Sequence, residues 1–304
     1  MHKRVLTLLI CIGCTDEPWP RPAAIPEQQF IREFQEWRDY RRSRLVLPGP
    51  GPVTWVGLWE LRPGTMALGS DSTLPIVLRA AHAPRFAGTL ERENANVRFE
   101  PASGAGIRLA DGTRVTAPLM MASDRTDTAT TLAIGSLRLR VHAEPGTDRL
   151  WLRAWDEEHP ARQTFRLPES YRPDTAWRVS ARFVRFKTPR DYQVADITEG
   201  TQAYRSPGEL VFRVGEREHR LVAFAEPDDT IFFLMIWDST AKTTTYQAGR
   251  YLRASFPDSA GWTVIDFNRA YNPPCVFTPY STCAFAPREN RLSFALNAGE
   301  KRAR

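Results

Sequence analysis

The sequence predicts a mainly β protein: an N-terminal amphipathic helix, then a β-sandwich, then a second antiparallel β domain. Three observations carry this. Beyond residue 53, apolar and polar residues alternate at a period of two, as in Leu137-Arg138-Leu139-Arg140-Val141-His142 and Trp177-Arg178-Val179-Ser180-Ala181-Arg182-Phe183; this is the pattern of strands with one buried face. Gly and Pro turns punctuate these runs at short spacing, at Pro63-Gly64, Asp111-Gly112, Pro145-Gly146 and Pro207-Gly208, the rhythm of sandwiches and barrels. No Gly-rich phosphate loop and no alternation of strands with helices occurs, which excludes a nucleotide-binding α/β fold. A chain of 304 residues, 42% of them hydrophobic, can bury a full core and fits one large or two ordinary domains. The β domains are expected at 53–160 and 161–304.

Residues 1–13 read as a signal peptide, with the basic head Met1-His2-Lys3-Arg4 before the apolar run Val5 to Gly13. That run is shorter than the roughly 20 residues a spanning helix needs, and it fits the apolar region of a secretory signal. Its end, Cys11-Ile12-Gly13-Cys14, resembles a bacterial lipobox with Cys14 as the lipidated residue, although Cys11 stands where Leu is usual. The resemblance implies attachment to the membrane through a lipid anchor. Thr15 after the cysteine implies an outer-membrane lipoprotein of the bacterial cell envelope, facing the periplasm. An ordinary cleaved signal and a buried N-terminal segment remain the alternatives.

Residues 14–26 form a Pro-rich tether, extended because proline fixes φ and lacks a donor. Residues 27–52 hold a helix and a linker: Phe30, Phe34, Trp37 and Arg41 recur at helical spacing from Glu27 to Arg44, and Pro48 to Pro52 ends the helix. Arg38, Arg41, Arg42 and Arg44 are the one local cluster of basic charge; the remaining arginines behind the net charge of +6 are scattered singly. No nucleic-acid partner is expected, because such proteins concentrate charge on one face.

In the first β domain, the order Leu68-Gly69-Ser70, Ile76-Val77-Leu78, Gly88-Thr89-Leu90, Asp111-Gly112-Thr113 and Leu132-Ala133-Ile134-Gly135 resembles the forkhead-associated β-sandwich. Ser70 stands where that family uses Arg, and its Ser-x-x-His is missing. The resemblance therefore implies architecture, not phosphate binding.

Cys275 and Cys283 are the cysteines left after removal of the signal and lipidation of Cys14. In an oxidising compartment a local disulfide between them is the expected fate. The five His are far apart and none lies near these thiols, so neither a metal nor another cofactor is expected.

The densest polar segment runs from Ile231 to Lys301. It contains Asp238-Ser239-Thr240, Thr245-Tyr246, Gly249-Arg250-Tyr251-Leu252, Ile265-Asp266-Phe267-Asn268-Arg269-Ala270-Tyr271-Asn272-Pro273-Pro274-Cys275, Pro287-Arg288-Glu289-Asn290 and Ala298-Gly299-Glu300-Lys301. These strings resemble the bacterial domain-of-unknown-function family 1684. Glu36-Trp37-Arg38, Trp55-Val56-Gly57-Leu58-Trp59 and the stretch from Trp155-Asp156 to Phe165 extend the likeness over nearly the whole mature chain. Cys283-Ala284-Phe285-Ala286-Pro287 departs from the Cys-Pro-Leu-Pro-Pro of many members. The resemblance implies a fold and kinship and supplies no reaction.

Read from its residues, this segment is a three-stranded meander. One strand ends near Trp237, a second covers about 244–254, a third covers about 262–269, and Asp258 to Gly261 makes the second turn. Across that hairpin Arg250 would reach Asp266 beside Asn268, at a rim where Asn272-Pro273-Pro274 turns the chain away. The group Asp238, Tyr246, Arg250, Asp266, Asn268, Tyr271, Asn272 and Glu300 then has three readings. It is a satisfied polar network with Asp238 closing an Asx turn, a pocket for a small polar or anionic ligand, or a catalytic cluster. The last lacks a Gly-x-Ser-x-Gly elbow and a paired-carboxylate spacing, and its thiol is a poor nucleophile beside a disulfide partner. The expectation is a non-catalytic envelope lipoprotein that binds a small polar ligand or another envelope component. The alternative is a hydrolase-like enzyme using Arg250, Asp266 and Asn268.

Overall fold

The computed structural model describes residues 19–303. The expected signal peptide and the expected lipidated Cys14 lie outside the described residues. The chain is mainly β, with one long helix at its N-terminal side.

Helix α1 spans Glu27–Val46 and buries Phe30, Phe34 and Leu45. Glu27 in its first turn and Arg44 in its last suit the helix dipole. Pro48 follows directly, where a ring without an N–H cannot extend the helix. The helix is held by arginines: Arg38 reaches the Pro168 carbonyl at 3.0 Å and Arg41 reaches Glu300 at 2.6 Å.

The first β region contains β1 (Trp55–Glu60), β2 (Gly64–Gly69), β3 (Ile76–Val77), β4 (Gly88–Glu93), β5 (Asn96–Pro101), β6 (Arg108–Leu109), β7 (Leu119–Met120), β8 (Thr131–Ile134), β9 (Leu137–Ala143) and β10 (Leu150–Asp156). They form two five-stranded sheets, ordered β1-β10-β9-β8-β6 and β3-β2-β4-β5-β7. Only β2 and β3 pair in parallel; every other named strand pair in these sheets is antiparallel. Both sheets feed one apolar core, with Leu68, Leu90 and Phe99 from one and Leu132, Leu139 and Leu152 from the other. In β9 the alternation is strict: Leu137, Leu139, Val141 and Ala143 are buried, while Arg138, Arg140 and His142 are half-exposed.

After a short helix, α2 (Ala161–Thr164), come β11 (Arg178–Ala195), β12 (Thr201–Val214), β13 (Arg217–Ala223), β14 (Ile231–Ile236), β15 (Arg250–Ser255) and β16 (Trp262–Asp266). One sheet is ordered β13-β12-β11-β16, and β14 and β15 form a two-stranded sheet that an isolated bridge between Phe233 and Phe224 joins to the end of β13. Leu210, Phe212, Leu234, Leu252, Ile265 and Phe267 make their shared core.

The expected meander is corrected here. The β14–β15 hairpin forms, with Ile231 opposite Ser255 and Ile236 opposite Arg250. The third strand leaves it: β16 pairs with β11, placing Arg178 opposite Asp266 and Val179 opposite Ile265. Asp258 folds its turn as expected, its Oδ1 accepting from the N–H groups of Ala260 and Trp262 at 2.9 Å each. That turn carries the chain across to the free edge of β11, where Ile265 becomes fully buried in the shared core.

Candidate functional site

The change of neighbour re-pairs the predicted polar residues. Arg250, opposite Ile236, lies beside Asp238, and its Nη2 donates to Asp238 Oδ2 at 2.8 Å. The expected Arg250–Asp266 pair does not form. Asp266 instead lies 4.0 Å from Arg178 and 3.5 Å from Arg269, and its Oδ1 accepts from the Asn268 backbone N–H at 3.1 Å and side-chain amide at 2.9 Å.

The expected rim is an interior. Asp238, Arg250, Asn268, Asn272 and Glu300 are all buried. Arg250 also donates to the carbonyls of Ala298, Glu300 (3.3 Å) and Leu296 (3.2 Å). Burial depresses its pKa, and the Asp238 carboxylate opposes that shift. Asp238 Oδ1 accepts from the Thr240 N–H at 2.9 Å, closing a local turn, and from the Leu296 N–H at 3.1 Å. Glu300 is fully buried between Arg41, whose Nε lies 2.6 Å from Oε1, and the Asn272 N–H, 2.8 Å from Oε2. Asn268 clamps the backbone of Asp174, accepting its N–H and donating to its carbonyl at 2.9 Å each. Tyr271 lies under Arg41, whose guanidinium carbon is 4.4 Å from the ring centroid.

Two glycines allow these approaches. Gly249 and Gly299 have φ of +99° and +76°, and a Cβ on either would stand 2.5 Å from a backbone oxygen, that of Ile236 or Ala270. Both precede a network member, Arg250 or Glu300, so the chain can enter the interior only where a side chain is missing.

The expected Cys275–Cys283 disulfide is not formed; both thiols are free. The Cys275 N–H donates to Cys283 Sγ at 3.2 Å, and the Cys275 thiol approaches the Tyr246 hydroxyl at 3.4 Å. The hydrogen bond with Cys275 holds the Cys283 thiol down to about 7, while the same contact and burial push Cys275 up. Burial likewise pushes the Tyr246 phenol up. Among the described residues no group of three or more His, Cys, Asp or Glu is placed to hold a metal ion.

None of the eight predicted residues lines the large cavity next to the network. This cavity, of about 860 Å³, is walled by Trp55, Phe165, Tyr171, Phe277 and Tyr280 and carries Arg166, Lys301 and Arg302 at its margin. The network builds one of its walls. Arg250, Asn272 and Glu300 fasten the chain from Leu296 to Lys301, with Asn272 Nδ2 bound to the Lys301 carbonyl at 2.7 Å. The Lys301 N–H donates to the Glu169 carbonyl at 2.7 Å and the Tyr171 N–H to the Gly299 carbonyl at 3.0 Å, so residues 169–171 and 299–301 lie side by side. The Arg302 N–H is bound to the Thr244 carbonyl at 3.0 Å, and the Thr244 hydroxyl meets the Tyr171 hydroxyl at 2.5 Å. Lys301 lies 3.7 Å from Glu169 and 5.3 Å from the centre of the Tyr171 ring. Arg166 and Arg302 have no carboxylate partner among the described residues.

Residues 163–301 match the DUF1684 family model. The family is described as a protein of unknown function. The matched stretch is the C-terminal part of the chain; the first β region lies outside it. An uncharacterized protein of Haloarcula marismortui, solved by NMR, is similar at 29% identity over 46% of this chain and 78% of its own, with a TM-score of 0.39. No curated protein matches the sequence. The DUF1684 region supplies Phe165, Tyr171, Phe277, Tyr280 and Lys301 to the cavity, and Trp55, His159 and Arg302 come from outside it. Sequence reasoning missed this cavity because its lining comes from five distant stretches. The signal available was the aromatic-cationic content of Phe277 to Tyr280 and of Lys301-Arg302 beside the polar motifs.

Proposed function

We propose that the protein is a non-catalytic envelope lipoprotein that binds a small anionic ligand with an aromatic or apolar body in the cavity beside the buried network. The single observation that carries the binding reading is the make-up of that cavity, five aromatic side chains with Arg166, Lys301 and Arg302 at its margin and Glu169 as the acidic residue among its lining. Its volume of about 860 Å³ falls in the range of small-molecule sites, which are mostly apolar with a few orienting polar groups. Cations at the mouth of a low-dielectric cleft focus an attractive field for an anion, and aromatic walls accept a flat ligand body. The hydroxyls of Thr243, Thr244 and Thr278 in the same lining offer directional hydrogen bonds. The envelope location rests on the lipobox-like Ile12-Gly13-Cys14 of the sequence. The hydrolase-like alternative centred on Arg250, Asp266 and Asn268 loses support, because Arg250 and Asn268 are spent on buried protein partners.

Anilinonaphthalene sulfonate, an aromatic anion, is the probe for a fluorescence titration backed by native mass spectrometry. One molecule binds per chain, and K301E/R302E weakens it by about tenfold or more, the equivalent of about 1.4 kcal/mol, without lowering the melting temperature. Equal affinity in the double variant would refute the reading.

A further inference from the structure

The outer face of the β13-β12-β11-β16 sheet carries a patch of unpaired positive charge. Between positions 178 and 190, β11 holds Arg178, Arg182, Arg185, Lys187 and Arg190 and no Asp or Glu. Ala181 and Phe183 of that strand pack into the core with Phe212, so Arg182 and Val184 stand on the other face. Arg213 of β12 shares that face, as does Trp262 of β16, which pairs with Arg182. Building on the lipid-anchored reading above, we propose that this face docks on a membrane surface, its cations on anionic phospholipid headgroups and its aromatic side chains at the headgroup level.

Three features select a lipid surface. The first is where the chain enters. Trp19 lies on this face, its Nε1 donating to the Ser180 carbonyl at 3.1 Å and its ring 4.9 Å from that of Trp262. The Arg213 guanidinium covers the same ring at 4.7 Å. From there the chain runs past Arg178, whose Nη1 donates to the Ala23 carbonyl at 3.3 Å, and into α1. Cys14 stands five positions before Trp19, and five residues span at most about 18 Å. A lipid on Cys14 therefore holds the Trp19 side of the molecule against the bilayer. The second feature is charge. Arg182, Arg185, Lys187, Arg190 and Arg213 have no carboxylate partner among the described residues. Arg178 lies 4.0 Å from Asp266, and Glu209 and Glu218 on the same face are held by Arg220 at 3.3 and 2.9 Å.

The third feature is shape. The β11–β12 ladder runs to Arg185 opposite Gly208 and resumes at Arg190 opposite Ser206, which leaves residues 186–189 bulging out against Pro207 alone. Lys187, Thr188 and Pro189 on this bulge are exposed, and Arg190 covers the Phe186 ring at 4.1 Å. Beside it, Val184 and Phe256 are each about two-fifths exposed. The chain at 256–261 runs along this end of β11: the Gly261 carbonyl accepts the Phe183 N–H at 2.9 Å, and Phe232 bridges the Phe256 and Phe183 rings at 4.6 and 5.0 Å. A cationic protrusion beside tryptophans and exposed apolar side chains suits an interface where headgroups take the charges and the layer beneath takes the rings. A polyanion such as nucleic acid would meet the cations and leave Val184 and Phe256 in water.

The test is co-sedimentation of the full chain carrying Cys14→Ser, which has no thiol there to acylate, with vesicles of phosphatidylglycerol and phosphatidylcholine. Salt is set at about 0.15 M, where screening over about 8 Å restricts the attraction to charges next to the headgroups. R182E/K187E is expected to weaken binding about thirtyfold or more, the equivalent of about 2 kcal/mol, at the usual contribution of each Lys or Arg beside an anionic surface. K301E/R302E makes the same change of charge elsewhere and leaves binding as it was. Circular dichroism checks that each variant is folded. The basic residues 1–4 are common to all three proteins, so the loss on substitution is the quantity read. No binding by the Cys14→Ser chain, undiminished binding of R182E/K187E, or equal loss in both variants overturns the proposal. So does a DNA duplex that binds more tightly than the vesicles and is lost in R182E/K187E, which would make the face a nucleic-acid site. Mass spectrometry of the wild-type chain reads acylation of Cys14 separately. An acylated chain with undiminished R182E/K187E binding removes the docking face alone. An unacylated chain removes the anchor alone, and the vesicle difference still decides the face.

Discussion

Asp238→Asn isolates the charge pair at the centre of the buried network. The two side chains are 0% and 2% exposed and meet at 2.8 Å, so neither charge can turn to water. The substitution keeps the side-chain volume and leaves an oxygen for the Thr240 and Leu296 N–H groups. It then turns an amide N–H donor onto the Arg250 guanidinium, donor against donor. Removing one partner of a buried pair costs about 3–5 kcal/mol, chiefly because the other charge is stranded. That is a large part of a typical total stability of about 5–15 kcal/mol. At about 2–4 °C per kcal/mol, the melting temperature falls by roughly 6–20 °C. Urea denaturation followed by tryptophan fluorescence gives the free energy, and calorimetry gives the midpoint. Asp266→Asn is the control: its side chain is 16% exposed and its cations lie at 3.5 and 4.0 Å, distances and exposure at which a pair contributes about 0–1 kcal/mol. If D238N lost less than D266N, the assignment of Arg250 to Asp238 would be wrong.

Three further outcomes are expected. Arg41→Ala strands the fully buried Glu300 and removes one of the arginine links from α1 to the second β region, leaving that of Arg38; hydrogen exchange over 27–46 should accelerate, and stability should fall by about 3 kcal/mol. Gly299→Ala puts a Cβ 2.5 Å from the Ala270 oxygen at a φ of +76°, costing about 1–3 kcal/mol and, by shifting Lys301, weakening sulfonate binding in the same titration. Glu144 is fully buried near Arg149, and burial first and Asp196 second raise its carboxyl from 4.5 to about 7. Between those values the folded chain holds a proton that the unfolded chain has released, so stability is greatest below the window and falls as pH rises through it, by on the order of 3 kcal/mol. Chemical denaturation across that range should show the slope in wild type and a flatter one in Glu144→Gln.

Much of the local structure could be read from residues close in sequence. Phe30 and Phe34 gave the buried face of α1, and the alternation around Leu139 and Phe212 gave β9 and β12. Asp238 and Asp258 gave their turns, because an Asx side chain bonds an N–H two residues on. The polar motifs from Asp238 to Glu300 were legible as a group but not as a network, since their pairing depends on which strand lies beside β16. A meander assigns Asp266 to Arg250; the observed β11–β16 ladder gives Arg250 to Asp238. The two cysteines were legible as neighbours, and the structure keeps them as thiols.

The sequence by itself determined the class of the protein, the places where its strands and its long helix form, and the turn chemistry between them. Periodicity and turn formation are settled by residues within a few positions of one another. Tertiary structure decided which charge Arg250 meets, that Glu300 is sealed by a helix arginine 259 positions away, and that His142 meets a hydroxyl 140 positions away. Those pairings follow from which sheet edges and loops pack together. That choice minimises exposed apolar surface and stranded charge over the whole chain at once, and no short stretch of sequence contains it.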